Sequence, residues 1–176
     1  MKKIIYFFVI LFLFVSCKQE ENCDCNYEII DCPAEIAERA FCFAEIYRDS
    51  ETEYELGGQS PCRSIKIDCS GLIIMCYKYA LVDTNYTLLV NDMTAGYMYE
   101  NAATLTDSPT KGNLVFMGES NSKKITHIAI LDKIENGIVY FIDSTKKENI
   151  DGVTERNYNV NDDRVKAYGV MKLKKW

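Results

Sequence analysis

The sequence predicts an α+β domain, and three observations carry that expectation. Apolar residues recur at helical spacing through the first half of the chain. From residue 113 onward they give way to short runs rich in β-branched residues, separated by turn signals. No stretch of linker composition divides the halves, so helices and sheet should pack on one another as two layers of one core. A chain of 176 residues suits a single core of that kind.

The N-terminal segment reads as an export signal rather than as fold. Met1-Lys2-Lys3 is a basic start, and Ile4 to Val15 is an unbroken apolar run, too short and wrongly flanked to span a membrane. The run ends at Phe14-Val15-Ser16-Cys17, which resembles the bacterial lipobox; the resemblance implies cleavage before Cys17 and acylation of that cysteine. Residues 1–16 are thus expected to be a signal peptide, 17–30 a lipidated tether and 31–176 the folded domain. More than one acyl chain would hold the protein on a membrane, each buried methylene contributing about 0.8 kcal/mol. The expected location is a bacterial outer membrane, at its periplasmic face or at the cell surface. A monomer is the expected assembly.

Within the domain, Asp31-Cys32-Pro33 should open a first helix, because proline at an early helical position loses no hydrogen bond. Ile36, Ala40, Phe43, Ala44 and Tyr47 form its inward stripe, and Asp49-Ser50 ends it. Glu51 to Lys66 reads as irregular, with Gly57-Gly58 and Ser60-Pro61 as loop signals. A second helix starts at or just after Cys69, with Leu72, Ile73, Cys76, Tyr77 and Ala80 inward, and stops before Asp83. A third lies within roughly 91–103. Strands are expected over 113–117, 126–132, 138–144 and 165–173, with Glu135-Asn136-Gly137 as a hairpin turn. Lys172 to Trp176 reads as a frayed tail.

Charge and cysteine usage narrow the function. A net charge of -6 argues against nucleic acid as a partner, and no run of Lys and Arg interleaves with aromatic residues. Of the eight cysteines, Cys17 is assigned to lipid and Cys69 to chemistry. Cys23, Cys25, Cys32, Cys42, Cys62 and Cys76 are left to form disulfides in an exported domain, or to remain free thiols. Cys23-Asp24-Cys25 is followed by no second Cys/His pair at zinc spacing, so neither a metal nor another cofactor is expected.

The chemistry centres on Ile67-Asp68-Cys69-Ser70-Gly71-Leu72-Ile73. A cysteine at a helix start has its thiolate stabilised by the free N–H groups and partial positive charge of that terminus. A thiolate nucleophile also needs a base, and Thr126-His127-Ile128-Ala129-Ile130 supplies the only histidine of the chain on a strand that would hold it rigidly.

Four blocks together resemble the NlpC/P60 family of bacterial cell-wall cysteine peptidases, which have a compact papain-like α+β fold. They are Tyr54-Glu55-Leu56-Gly57-Gly58-Gln59-Ser60-Pro61, Asp68-Cys69-Ser70-Gly71-Leu72, Gly112-Asn113-Leu114-Val115-Phe116 and His127-Ile128-Ala129-Ile130. The resemblance spans about residues 34–173. It implies N-terminal helices packed on a C-terminal antiparallel sheet, Cys69 as nucleophile and His127 as general base. It further implies that Tyr54, Asp68 and Ser70 line the pocket and bind the amine end of a short peptide. The Cys69 N–H would contribute to an oxyanion hole. Asn113 replaces the family's usual Asp and is expected to shape a turn.

The family's third polar residue, usually His, Asn or Gln, orients the histidine ring; here its best match is Asp143 in Phe141-Ile142-Asp143-Ser144. Hairpin register bears on this. A five-residue loop over 133–137 would pair His127 with Asp143. A two-residue Asn136-Gly137 turn would pair His127 with Lys146 and bring Ser144 onto the histidine's face. The first register, and so Asp143, is preferred. The implied function is hydrolysis of an amide in peptidoglycan stem peptides, in particular the γ-D-glutamyl–diamino acid bond. Two alternatives remain open: a thiol amidase or acyltransferase acting on another amide, and a surface lipoprotein that binds without catalysis.

Overall fold

The computed structural model describes residues 26–60, 64–147 and 149–176. The expected signal peptide, Cys17, Cys23, Cys25 and Cys62 lie outside these residues. No helix among the described residues is long and apolar enough to cross a membrane.

The chain runs β1 (Glu28–Asp31), α1 (Ala34–Arg48), β2 (Thr52–Glu53), β3 (Ile65–Lys66), α2 (Cys69–Ala80), β4 (Tyr86–Leu88) and α3 (Ala95–Tyr97). α3 continues into a π-helical turn over Met98–Ala102, and β5 (Ala103–Leu105), β6 (Leu114–Met117), β7 (His127–Glu135), β8 (Ile138–Lys147), β9 (Ile150–Asn159) and β10 (Val165–Lys175) follow. The large sheet is ordered β1-β10-β6-β7-β8-β9, with β4 and β5 also paired to β10. Every ladder in it is antiparallel. This is the α+β architecture expected: helices in the first half, antiparallel sheet in the second, one core.

Helices and sheet meet because each buries an apolar face. α1 buries Ile36, Ala37, Ala40, Phe41, Ala44 and Tyr47, so its stripe is turned slightly from the expected one; Phe43 sits at the edge, tilted against Tyr79. α2 buries Leu72, Ile73, Ile74, Cys76, Tyr77 and Ala80 against Leu114, Phe116, Ile128, Ile130 and Ile142 of the sheet. The opposite face of the sheet holds a second, smaller cluster of Val115, Met117, Ala129, Leu131, Val139 and Phe141. Strands β6, β7 and β8 are therefore apolar on both sides, which is why they read as continuous runs rather than as alternations.

The structure corrects four expectations. Glu28 to Ile30, placed in the tether, and Asp31, placed at the opening of the first helix, form β1 against Lys172–Lys175. Those C-terminal residues, placed in a frayed tail, are held between β1 and β4, with Leu173 fully buried. The third helix is short, starting only at Ala95, where the Thr94 side chain caps it. β9 was not expected at all; its faces alternate between half-buried and exposed, and it is the outer strand of the sheet path, so few apolar residues mark it. Cys32, Cys42 and Cys76 are free thiols; burial pushes the Cys32 thiol up to about 12, with Asp31 and Glu35 adding to the effect.

Asn113 shapes a turn as expected. It is buried, and its Oδ1 accepts from the Thr110 N–H at 2.9 Å. Beside it, Gly112 has φ of +84°, and a Cβ there would lie 2.1 Å from the Ala37 carbonyl oxygen. That close approach, with Tyr77 Oη donating to the Gly112 oxygen at 2.8 Å, locks β6 onto both helices.

Candidate active site

Cys69 is the first residue of α2, buried to 8% exposure, with Asp68 as the N-cap. Asp68 Oδ1 accepts from the Gly71 N–H at 2.6 Å and from Ser70 Oγ at 3.0 Å. Its other oxygen accepts from the Gly57 N–H at 2.7 Å, so one carboxylate ties the helix start to the Gly57-Gly58 turn. Gly71 makes this possible: a Cβ there would lie 2.1 Å from the Gly58 carbonyl oxygen. With the cap spent on Gly71, the N–H of Cys69 stays in the first turn, where no intrahelical carbonyl can take it.

His127 opens β7 and faces Cys69. Burial works to lower its pKa, but hydrogen bonds to Asp143 and Cys69, with the negative charge of each, raise it to about 9. Its Nε2 bonds Asp143 Oδ2, so Nδ1 is the ring nitrogen that Asp143 leaves free. Asp143 is fully buried. Desolvation would raise its carboxyl, yet hydrogen bonds from His127 and Arg156 hold it below the ordinary carboxylate range.

The hairpin reaches this arrangement by neither register considered above. Asn136 and Gly137 have φ of 53° and 75° and form the tight two-residue turn, with Glu135 opposite Ile138. Between Leu131 and Lys133 the ladder bulges, and Asp132 is the extra residue. Beyond it Ile130 faces Ile142, so His127, Ala129, Phe141 and Asp143 share one face. Ser144, which the unbulged ladder would have offered to the histidine, turns the other way and donates to the Ile67 carbonyl at 2.6 Å. One inserted residue thus exchanges the partner.

Tyr54 and Ser70 lie close to Asp68. The Tyr54 phenol has its pKa raised by burial and by the nearby charges of Cys69 and Asp68. Its backbone N–H donates to Asp151 of β9 at 2.8 Å. Ser70 bonds the capping carboxylate, as above. On the other side of His127 opens a cleft of about 440 Å³ lined by Glu119, Thr145, Lys147, Arg156, Tyr158 and Arg164 among others. Sequence reasoning missed Arg156, whose Nε donates to Asp143 Oδ1 at 3.0 Å and whose Nη2 donates to Oδ2. An arginine preceding an alternating Asn157-Tyr158-Asn159 was the available signal, and without β9 it could not be placed.

A helix-start cysteine, a strand-borne histidine and a carboxylate behind it thus meet on an α+β frame. The NlpC/P60 family model matches residues 51–166, and the chain belongs to that family, whose members are generally cysteine peptidases. Two solved structures share the fold. One is described as similar to a lipoprotein of the NLP/P60 family from Staphylococcus aureus subsp. aureus Mu50, 22% identical with a TM-score of 0.51. The match covers 80% of this chain and 42% of that one. The other, Ly7917, is 12% identical with a TM-score of 0.52, covering 77% of this chain and 62% of that one. The chain thus spans less than two thirds of either protein. Among curated proteins none matches it.

Proposed function

We propose that the chain is a cell-wall cysteine endopeptidase that hydrolyses an amide of peptidoglycan stem peptides, in particular the γ-D-glutamyl–diamino acid bond. The observation that carries the reading is His127, bonded to Asp143, placed beside the capped helix start that carries Cys69. There the Cys69 thiolate adds to the amide carbonyl carbon. The Cys69 N–H faces the oxygen as it gains charge, a kind of donor worth about 3 kcal/mol in the transition state. The His127 imidazolium gives its Nδ1 proton to the amine as the C–N bond breaks, leaving a thioester. His127 then takes a proton from water as the hydroxyl adds to the thioester carbon; the acid leaves and Cys69 returns as thiolate. Asp143 keeps the ring in place and stabilises its cationic form.

Tyr54, Asp68 and Ser70 form the wall that receives the amine end of the peptide, and the negative Asp68 is the group suited to an ammonium. The lipobox at Phe14-Val15-Ser16-Cys17, together with the lipoprotein description of the staphylococcal neighbour, supports export and anchorage of the chain at a membrane beside the wall. A bacterial outer membrane is the proposed location. The test is incubation of the purified domain with muropeptides and with unrelated peptide amides, products being read by mass. Cleavage of stem peptides that Cys69→Ala abolishes is expected; turnover of only the unrelated amides would overturn the substrate, and no Cys69-dependent turnover would overturn the enzyme.

A further inference from the structure

We infer that Arg156 is a positioning residue: its guanidinium holds Asp143 as a carboxylate, fixed in place against His127. The inference rests on the hydrolase reading of the site.

The geometry is specific. Arg156 grips both oxygens of Asp143, Nε on Oδ1 and Nη2 on Oδ2, in the fork-on-carboxylate arrangement that only arginine provides. Its remaining arm, Nη1, donates to Tyr158 Oη at 2.9 Å. The rings of Phe141 and Tyr158 each lie 5.5 Å from the guanidinium carbon, which fixes its plane. Nη2 is 3.4 Å from His127 Nε2, and both donate to the same Asp143 oxygen. Asp143 is fully buried and the Arg156 side chain is 13% exposed, so solvent screens this contact poorly.

Charge counting shows what the guanidinium does. A neutral amide or imidazole behind the histidine, as the family usually has, would bring no charge; an aspartate brings a full negative one. Thiolate, imidazolium, carboxylate and guanidinium sum to zero. Without the guanidinium the same set carries one net negative charge, and the imidazolium proton is held more tightly. The His127 proton would then leave at higher pH. Of the other ionisable groups nearby, the Tyr158 phenol loses its donor with the guanidinium. Tyr54 and Asp68 stand on the Cys69 side, and Asp68 is tied to backbone. Across the cleft Arg164 is paired with Asp162, while Glu119 and Lys147 line the opening and the Tyr158 phenol faces the guanidinium itself.

The experiment follows the His127 imidazole by NMR across pH. Titration near 6.5 in the unsubstituted protein would sink the hydrolase reading itself. In Arg156→Met the His127 titration should move up by about one pH unit. In Arg156→Lys, which keeps the charge, it should stay within about 0.3 of its original position, while kcat falls about tenfold at unchanged KM because one ammonium cannot hold two oxygens. Arg156→Gln serves if the methionine variant does not fold, with the same upward move expected. An unmoved titration in a folded Arg156→Met or Arg156→Gln would overturn the inference, as would one in Arg156→Lys displaced as far as in the neutral variants.

Discussion

At the scale of the residue, Asp143 is where stability and chemistry meet. It is a buried carboxylate serving two cations, so removing it leaves Arg156 and His127 facing an apolar hole. Asp143→Ala is expected to cost about 3–5 kcal/mol in denaturant unfolding, well above a typical surface change. A loss below about 1 kcal/mol would show that the pair is solvated after all. His127 adds a pH dependence of definite sign. Its pKa rises on folding from 6.5 to about 9, so its contribution to stability is fully present below pH 6.5 and is lost as pH climbs through about 9. The stability difference between the unsubstituted protein and His127→Gln should shrink across that interval; a difference that is flat or grows would contradict the assignment. Cys69 and His127 could be singled out from the sequence because each stands out in its own segment, a helix start and a lone histidine. Arg156 was not, because its meaning lies in a partner thirteen residues away on the neighbouring strand.

At the scale of the element, the start of α2 depends on two small features. Asp68→Ala removes an N-cap and the tie to Gly57, and is expected to destabilise by about 1–2 kcal/mol and to slow turnover by loosening the Cys69 terminus. Gly71→Ala drives a Cβ into the Gly58 carbonyl oxygen, which is backbone and cannot swing aside. Greater loss of activity than of helix content is expected, measured by turnover against circular dichroism; unaltered turnover would mean that the Gly57-Gly58 turn does not shape the site. The β7–β8 hairpin marks where sequence reasoning stops. The five-residue loop preferred from the sequence gives way to the tight Asn136-Gly137 turn, and the bulge at Asp132 that still sets Asp143 on the histidine's face has no local signature. It arises because β7 must answer to β6 and β8 at once, and its face is decided by burial on both sides.

At the scale of the whole molecule, β10 is the seam. Four strands, β1, β4, β5 and β6, pair with it along its length, so the end of the chain closes the sheet rather than trailing from it. Removing residues 172–176 is expected to lower Tm by at least about 5 °C; a change within about 1 °C would return that segment to the status of a tail. The lysines there made it look solvated, and the buried Leu173 among them was too sparse a pattern to say otherwise. Architecture was legible from texture alone, while β1, β9 and the seam were set by pairings distant in sequence. The proposed function requires one sulfur and one imidazole to be pressed together. Because the chain has a single histidine, that claim can be read from one resonance. The imidazole of His127, followed by NMR across pH, is expected to titrate near 9 and to fall clearly toward 6.5 in Cys69→Ala, where the thiolate is gone. Titration near 6.5 in both proteins would contradict the account.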